Sequence, residues 1–224
     1  MRAVYFSNAK DFAKGDIIKY AEDGFHHLKN VIRLKENENL ILMDGKGSSV
    51  STRVLEVAKK YFLLEVESLK FVEKSNRRCA ISKLKKDSLE LSIKSAIELG
   101  VNKIYVVQTE FSQNYKLNFD RLGKIAISAM IQSNNPYLCE FMEIPSTSSI
   151  VQELKDELLV FDMIKSECQL AKDSQKVVFI GPEGGFSPGE RRLFLENGVY
   201  LHYFQTPILR AETALVAALT YSYL

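Results

Sequence analysis

Cysteine is scarce, with three residues in a chain of 224. Cys79, Cys139 and Cys168 stand far apart and none has a partner at metal-ligand spacing. A disulfide framework and a cysteine-held metal are therefore not expected, and a reduced, cytoplasmic compartment is. Long apolar runs are missing as well. Met1 to Phe6 has neither an apolar core nor a cleavage-site pattern, so no signal peptide is expected. The longest apolar stretch, at the end of the chain, is broken by Thr220 and Ser222, which argues against a membrane span. Nor is there an excess of one charge: the formal net charge is +2. Any phosphate-binding face must then come from local clusters of Lys and Arg. No internal repeat and no low-complexity tract occurs.

What remains is the composition of an ordinary soluble globular protein, 46% apolar and 26% charged. The length suits one large or two modest domains. The first seventy or so residues read mostly as short strands. Asn39–Met43 is an apolar run, residues 44–47 form a turn, and Ser48–Val57 and Tyr61 to Leu69 follow as strands. Tight turns between such strands suggest a small barrel. Residues 25–34 interrupt them with helical spacing. The polar run from Glu73 to Arg78 marks a boundary between residues 1–72 and 73–224.

Beyond it, strands alternate with helices, which implies a mostly parallel sheet covered on both faces. Strands are expected at Cys79 to Leu84, Lys103–Val107, Leu158–Phe161, Val177–Ile180 and Tyr200 to Phe204. Helices are expected from Asp87, capped by it and by Glu90, to a stop at Gly100, and over Phe119–Ser133. A last helix is expected in the apolar run from Ala214.

Two stretches carry candidate chemistry. In the first, a buried strand enters Gly181-Pro182-Glu183-Gly184-Gly185-Phe186-Ser187 and a helix leaves it. Ser187 suits the cap, Pro188 the first helical position, and Glu190 completes a capping box. Ligands of open α/β sheets bind beyond strand carboxyl ends, where this loop falls. Its glycines let backbone groups approach a flat ligand, though a simple tight turn has the same spacing. It is neither a dinucleotide fingerprint nor a P-loop.

The second stretch, Ile208-Leu209-Arg210-Ala211-Glu212-Thr213, opens the last helix. Glu212 there complements the helix dipole and Arg210 either snorkels or meets phosphate or developing charge on a base. His26 and His27, adjacent on a helix, point in different directions and make poor joint ligands. No metal site is expected.

Together these motifs resemble the ribosomal RNA small subunit methyltransferase E family. The likeness extends to His26 to Leu34, Met43 to Gly47, Lys94 to Val101, Thr109-Glu110 with Ser112, and Gln132-Ser133. It implies a PUA-like, RNA-binding β-barrel over residues 1–72. It also implies a SPOUT-type α/β domain over 73–224, with a mostly parallel sheet and a carboxy-terminal trefoil knot that no sequence pattern could have derived. It further implies a homodimer that binds S-adenosyl-L-methionine and methylates N3 of a uridine in 16S rRNA of the small ribosomal subunit.

By the same resemblance the cofactor contacts are Gly181, Pro182, Glu183, Gly184, Gly185, Ile208, Leu209, Arg210, Glu212 and Thr213. Arg210 and Glu183 are the catalytic candidates, and in Glu183 a base and a loop anchor are both open. Arg33, Arg77, Arg78 and Lys83, with Lys85 and Lys86, are the candidate RNA contacts, or else a solvated charged face. Three positions depart from the family pattern: Phe111 and Asn135 stand where arginine is usual, and Gln205 where glycine often is. Other readings are an enzyme of this fold with a different RNA target and a non-catalytic assembly factor.

Overall fold

The structure, a computed structural model, describes residues 2–22, 24–164 and 175–223; Cys168 lies outside them. The chain divides into two compact units, Met1–Lys74 with Met130–Leu138, and Ser75–Ala129 with Cys139–Leu224.

The first unit is built on strands β1 (Ala3–Tyr5), β2 (Ile17–Tyr20), β3 (Asn39–Met43), β4 (Ser48–Val57) and β5 (Phe62–Phe71). Their order is β1-β3-β4-β5-β2, with β1 parallel to β3 and the other neighbours antiparallel. Since β1 and β2 remain edges, the sheet is a half-barrel. Alternation decides which face is inside: Leu40 and Leu42 of β3 and Val50, Thr52 and Val54 of β4 are buried. Thr52 meets the demand of burial by donating its hydroxyl to the Leu40 carbonyl at 2.8 Å. Register shifts between Ser51 and Thr52 and between Val54 and Glu56 are the irregularities that let β4 bend. The helical spacing of residues 25–34 becomes a wider π-helix, His27–Ile32. Its end at Arg33 turns left-handed (φ 55°), with the Arg33 amide donating to the Leu28 carbonyl.

Residues 44–48 form a side-chain-stabilised turn: one Asp44 carboxylate oxygen accepts from the amides of Lys46 and Ser48 at 2.7 and 2.9 Å. Residues 130–138 complete this unit, with the Leu138 amide on the Gly45 carbonyl and the Tyr137 hydroxyl on that of Val72.

The second unit holds β6 (Arg78–Ser82), α1 (Lys86–Glu98), β7 (Lys103–Val107), α2 (Phe119–Ser133, its last turn grouped with the first unit), β8 (Glu140–Ile144) and α3 (Thr147–Leu154). It continues with β9 (Leu158–Phe161), β10 (Val177–Ile180), α4 (Pro188–Glu196), β11 (Leu201–His202) and α5 (Ala211–Tyr223). Its six strands among the described residues are all parallel, in the order β11-β9-β10-β6-β7-β8. The runs LLVF of β9 and VVFI of β10 are buried at every position, as a parallel sheet covered on both faces requires. No helix among the described residues is long and apolar enough to cross a membrane.

The start of α1 differs from the sequence reading. Its cap position is Lys85, with no side-chain cap, and Asp87 lies in the first turn. Glu90 does not reach back, because both its oxygens are held by Arg121 at 2.9 and 2.8 Å. The strand expected over 200–204 is reduced to the two residues of β11, and Phe204 belongs to the turn that follows.

Candidate functional site

The chain runs outward from β6 through β7 to β8, then returns to lay β10 against the other side of β6. Strands whose chains leave in opposite directions open a crevice beyond their carboxyl ends. A cavity of about 590 Å³ lies there, walled by the segments that leave β6, β9, β10 and β11. Both glycine- and arginine-bearing turns face it: Gly181, Pro182, Glu183 and Gly185 from one, and Ile208, Leu209, Arg210 and Glu212 from the other. Gly184 and Thr213 adjoin the wall without forming part of it.

Local chemistry fixes the first turn. The Gly185 amide donates to the Pro182 carbonyl at 2.8 Å, and Gly185 adopts φ +71°, which an L side chain resists. At Gly181 a Cβ would sit 3.1 Å from the Phe186 ring. That ring must stay, because it forms an edge-to-face trio with Phe179 and Phe194 at centroid distances of 5.1 and 5.0 Å. Such pairs add about 0.5–1.5 kcal/mol each beyond their burial. The helix that follows starts as its sequence implies, with Ser187 and Glu190 in a reciprocal capping box and Pro188 in the first turn.

Glu190 does more than cap. It is 7% exposed, and its carboxylate accepts from the Ser187 amide at 2.9 Å, the Glu110 amide at 3.0 Å and the Thr147 hydroxyl. One buried group thus fixes three segments: the glycine turn, the loop after β7 and the start of α3.

The opposite wall was not legible in the motifs. Phe161, the last residue of β9, stacks on Phe204 with centroids 4.9 Å apart. Asp162, the next residue, has an almost fully buried side chain that holds Arg191 of α4 through two bonds, of 2.5 and 3.2 Å. Lys85 and Ser88 come from the start of α1.

The candidate charged residues separate clearly. Arg210 and Glu183 are exposed on the cavity wall. One Glu183 oxygen accepts the Lys85 amide at 3.0 Å, tying the glycine turn to the uncapped start of α1. Nearby, the Tyr115 hydroxyl donates to the Leu84 carbonyl at 2.8 Å. Burial first, and then the charges of Glu183 and Glu90, push that phenol above its ordinary value.

Of the candidate RNA contacts, Arg33 is exposed, as are Lys85 and Lys86. Arg77 instead donates to the Leu99 carbonyl at 2.8 Å, and Arg78 to Glu157 and the Gln175 carbonyl at 2.5 and 3.1 Å. Lys83 is 4% exposed, its ammonium on Glu143 and the Tyr115 carbonyl at 2.8 and 3.1 Å. His26 and His27 are exposed residues of the first unit. Among the described residues, no group of three or more His, Cys, Asp or Glu is placed to hold a metal ion.

Comparison with known proteins agrees with this architecture. A family described as an RNA methyltransferase domain matches residues 73–222, and an RNA methyltransferase PUA domain matches residues 21–67. The chain is 30% identical over 226 residues to the ribosomal RNA small subunit methyltransferase E of Helicobacter pylori strain J99, covering 96% of each protein. It is 27% identical to ribosomal RNA small subunit methyltransferase E 2 of Borreliella burgdorferi, covering 88% of this chain and 86% of that one. The fold is shared with the Neisseria gonorrhoeae ribosomal RNA small subunit methyltransferase E, solved bound to S-adenosyl methionine. That likeness has a TM-score of 0.83 at 24% identity, over 98% of this chain and 95% of that one. The half-barrel is accordingly PUA-like, the parallel unit is an RNA methyltransferase domain, and the chain belongs to the ribosomal RNA small subunit methyltransferase E family.

Proposed function

We propose that this protein is an S-adenosylmethionine-dependent methyltransferase that acts on N3 of a uridine in the 16S rRNA of the small ribosomal subunit. The observation that carries the reading is that both backbone-rich turns line one cavity at the sheet's switch point. Its volume lies within the range of small-molecule sites. The fit is also chemical: Gly181 and Gly185 keep Cβ atoms off the wall, Phe161 and Phe204 offer apolar surface, and Glu183 and Glu212 offer acceptors. Bound there, S-adenosylmethionine supplies an electrophilic methyl carbon.

Residues of the chain prepare the other reactant. The uridine must lose its N3 proton so that the nitrogen lone pair can form the new N–C bond as the methyl carbon's bond to sulfur breaks, its electron pair staying on the sulfur of the departing S-adenosylhomocysteine. Arg210, exposed on the wall, favours the resulting anionic imide electrostatically. Glu183 keeps one oxygen on the Lys85 amide, and its second is the acceptor we assign to the proton. Ile208, Leu209 and Thr213 belong to the turn that encloses the cofactor, with Gly184 beside the other. Arg33, Lys85 and Lys86, whose side chains are exposed, are assigned to RNA phosphates in preference to Arg77, Arg78 and Lys83, whose charges are engaged internally. The domain boundary near residue 73, the knotted carboxy-terminal crossing, a homodimer using the apolar α5, and a cytoplasmic location belong to the same reading.

Calorimetry with S-adenosylmethionine and methyl transfer to small subunits from a strain lacking this gene test the proposal. Methylated N3 cannot pair, so reverse transcription stops at the target in wild-type RNA and reads through in the deletion strain. Arg210→Ala is expected to lower kcat about a hundredfold while cofactor affinity changes little. Equal losses in both would refute the role of Arg210, and a stop that persists in the deletion strain would refute the target.

A further inference from the structure

Phe111 is 48% exposed, although the loop that carries it is hydrogen-bonded on both sides of it. On its amino-terminal side, the Glu110 amide is bound by the buried Glu190 carboxylate at 3.0 Å. On its carboxy-terminal side, the Ser112 hydroxyl accepts from the Thr109 amide at 2.9 Å and donates to the Thr109 carbonyl at 2.8 Å. The Gln113 amide then joins the Lys83 carbonyl at 2.8 Å. A phenyl ring on a loop fixed from both sides cannot retreat into the core. It is presented to solvent as an apolar plate on a fixed backbone.

Its position gives the plate a use. Phe111 lies over Gly184: a Cβ added there would meet the Phe111 Cβ at 3.4 Å and its ring atoms at 3.6 and 3.7 Å. Gly184 is flanked by Glu183 and Gly185, both on the cavity wall. The ring therefore stands one residue from the wall that carries the acceptor assigned to the N3 proton. A base to be methylated must leave its stack, and unstacked bases are recognised on aromatic faces.

We infer that Phe111 is the stacking platform for the target uracil, holding the extruded base flat at the rim with its N3 edge turned toward the cavity. The inference rests on the methyltransferase reading above and adds to it a residue that positions the base. Stacking is indifferent to charge, so this contact contributes the same at high and low salt, unlike a phosphate contact.

The chain contains no tryptophan, which makes the test direct. Phe111→Trp installs a single indole whose emission is quenched when a base stacks on it. Titration with uridine 5′-monophosphate in the presence of S-adenosylhomocysteine should quench it saturably, and ribose 5-phosphate should not. Phe71→Trp, at another exposed ring (67%), should show no saturable quench. With small subunits as substrate, Phe111→Ala should lower kcat/KM about tenfold with cofactor affinity unchanged, and Phe111→Tyr should restore it.

Absence of saturable quenching overturns the inference. So does a Phe111→Ala variant that loses cofactor affinity as much as turnover, since the ring would then merely cover the cofactor turn. A wild-type chain that transfers no methyl group would sink the proposed activity instead, while the mononucleotide titration still decides the stacking.

Discussion

Glu190 is the residue whose replacement most sharply tests how the site is held. Its carboxylate is buried and receives the Ser187 amide on one oxygen, and the Glu110 amide and Thr147 hydroxyl on the other. Glu190→Gln keeps the shape but turns one oxygen into a donor. If the amide nitrogen takes the place beside Ser187, two N–H groups face each other and the side-chain half of the capping box contributed by residue 190 is lost. If it takes the other place, the Glu110 amide and Thr147 lose their shared acceptor. Either orientation leaves a buried amide without an acceptor, which costs about 1–3 kcal/mol, so the variant should lose about 1–3 kcal/mol. At about 2–4 °C per kcal/mol for a chain of this size, thermal unfolding followed by circular dichroism should shift down by about 2–12 °C. Cofactor affinity should fall with it, because the glycine turn loses its tether. A variant that melts within a degree of wild type would show that Glu190 is not the organising group argued for above.

Two further outcomes follow from the geometry. Gly185→Ala places a Cβ 2.9 Å from the Met163 methyl at φ +71°. Calorimetry should show at least tenfold weaker S-adenosylmethionine binding, and Met163→Ala should not rescue it, because the backbone strain of about 1–2 kcal/mol remains. Burial raises both the Cys79 thiol and the Tyr223 phenol, which hold their protons longer in the folded state than in the unfolded one. The stability they confer is complete below the unfolded thiol value of about 8.5 and declines as pH rises through and beyond the unfolded phenol value of about 10. Urea midpoints measured from pH 7 to 11 should fall more gently for Tyr223→Phe than for wild type, and parallel curves would contradict the assignment.

The sequence made legible what depends on near neighbours. Strands β3, β4, β9 and β10 and helix α2 stand out because alternation, uniform burial or helical spacing is written into consecutive residues. The Ser187–Glu190 capping box did so too. Strand β8 escaped notice because EFMEI, at the sheet edge, keeps its glutamates in solvent and reads as a loop. Helix α3 was hidden by its serine-rich start, although Ser146 there is the cap, accepting the Ser149 amide at 3.1 Å. The Asp87 cap failed for a different reason: Arg121, remote in sequence, claims Glu90. Two walls of the cavity were visible as motifs. Asp162, Phe161 and Lys85 were not, since only the strand order brings the ends of β6 and β9 to flank that of β10.

That strand order has a consequence for the growing polypeptide. A ribosome adds residues at about 5–20 per second, so β6, β7 and β8 emerge well before β10 exists. Until Val177–Ile180 arrives, β6 carries a bare row of backbone donors and acceptors along an apolar edge. Chains interrupted before that point should stick to one another through this edge, and production of the protein should be sensitive to anything that stalls translation between the two strands.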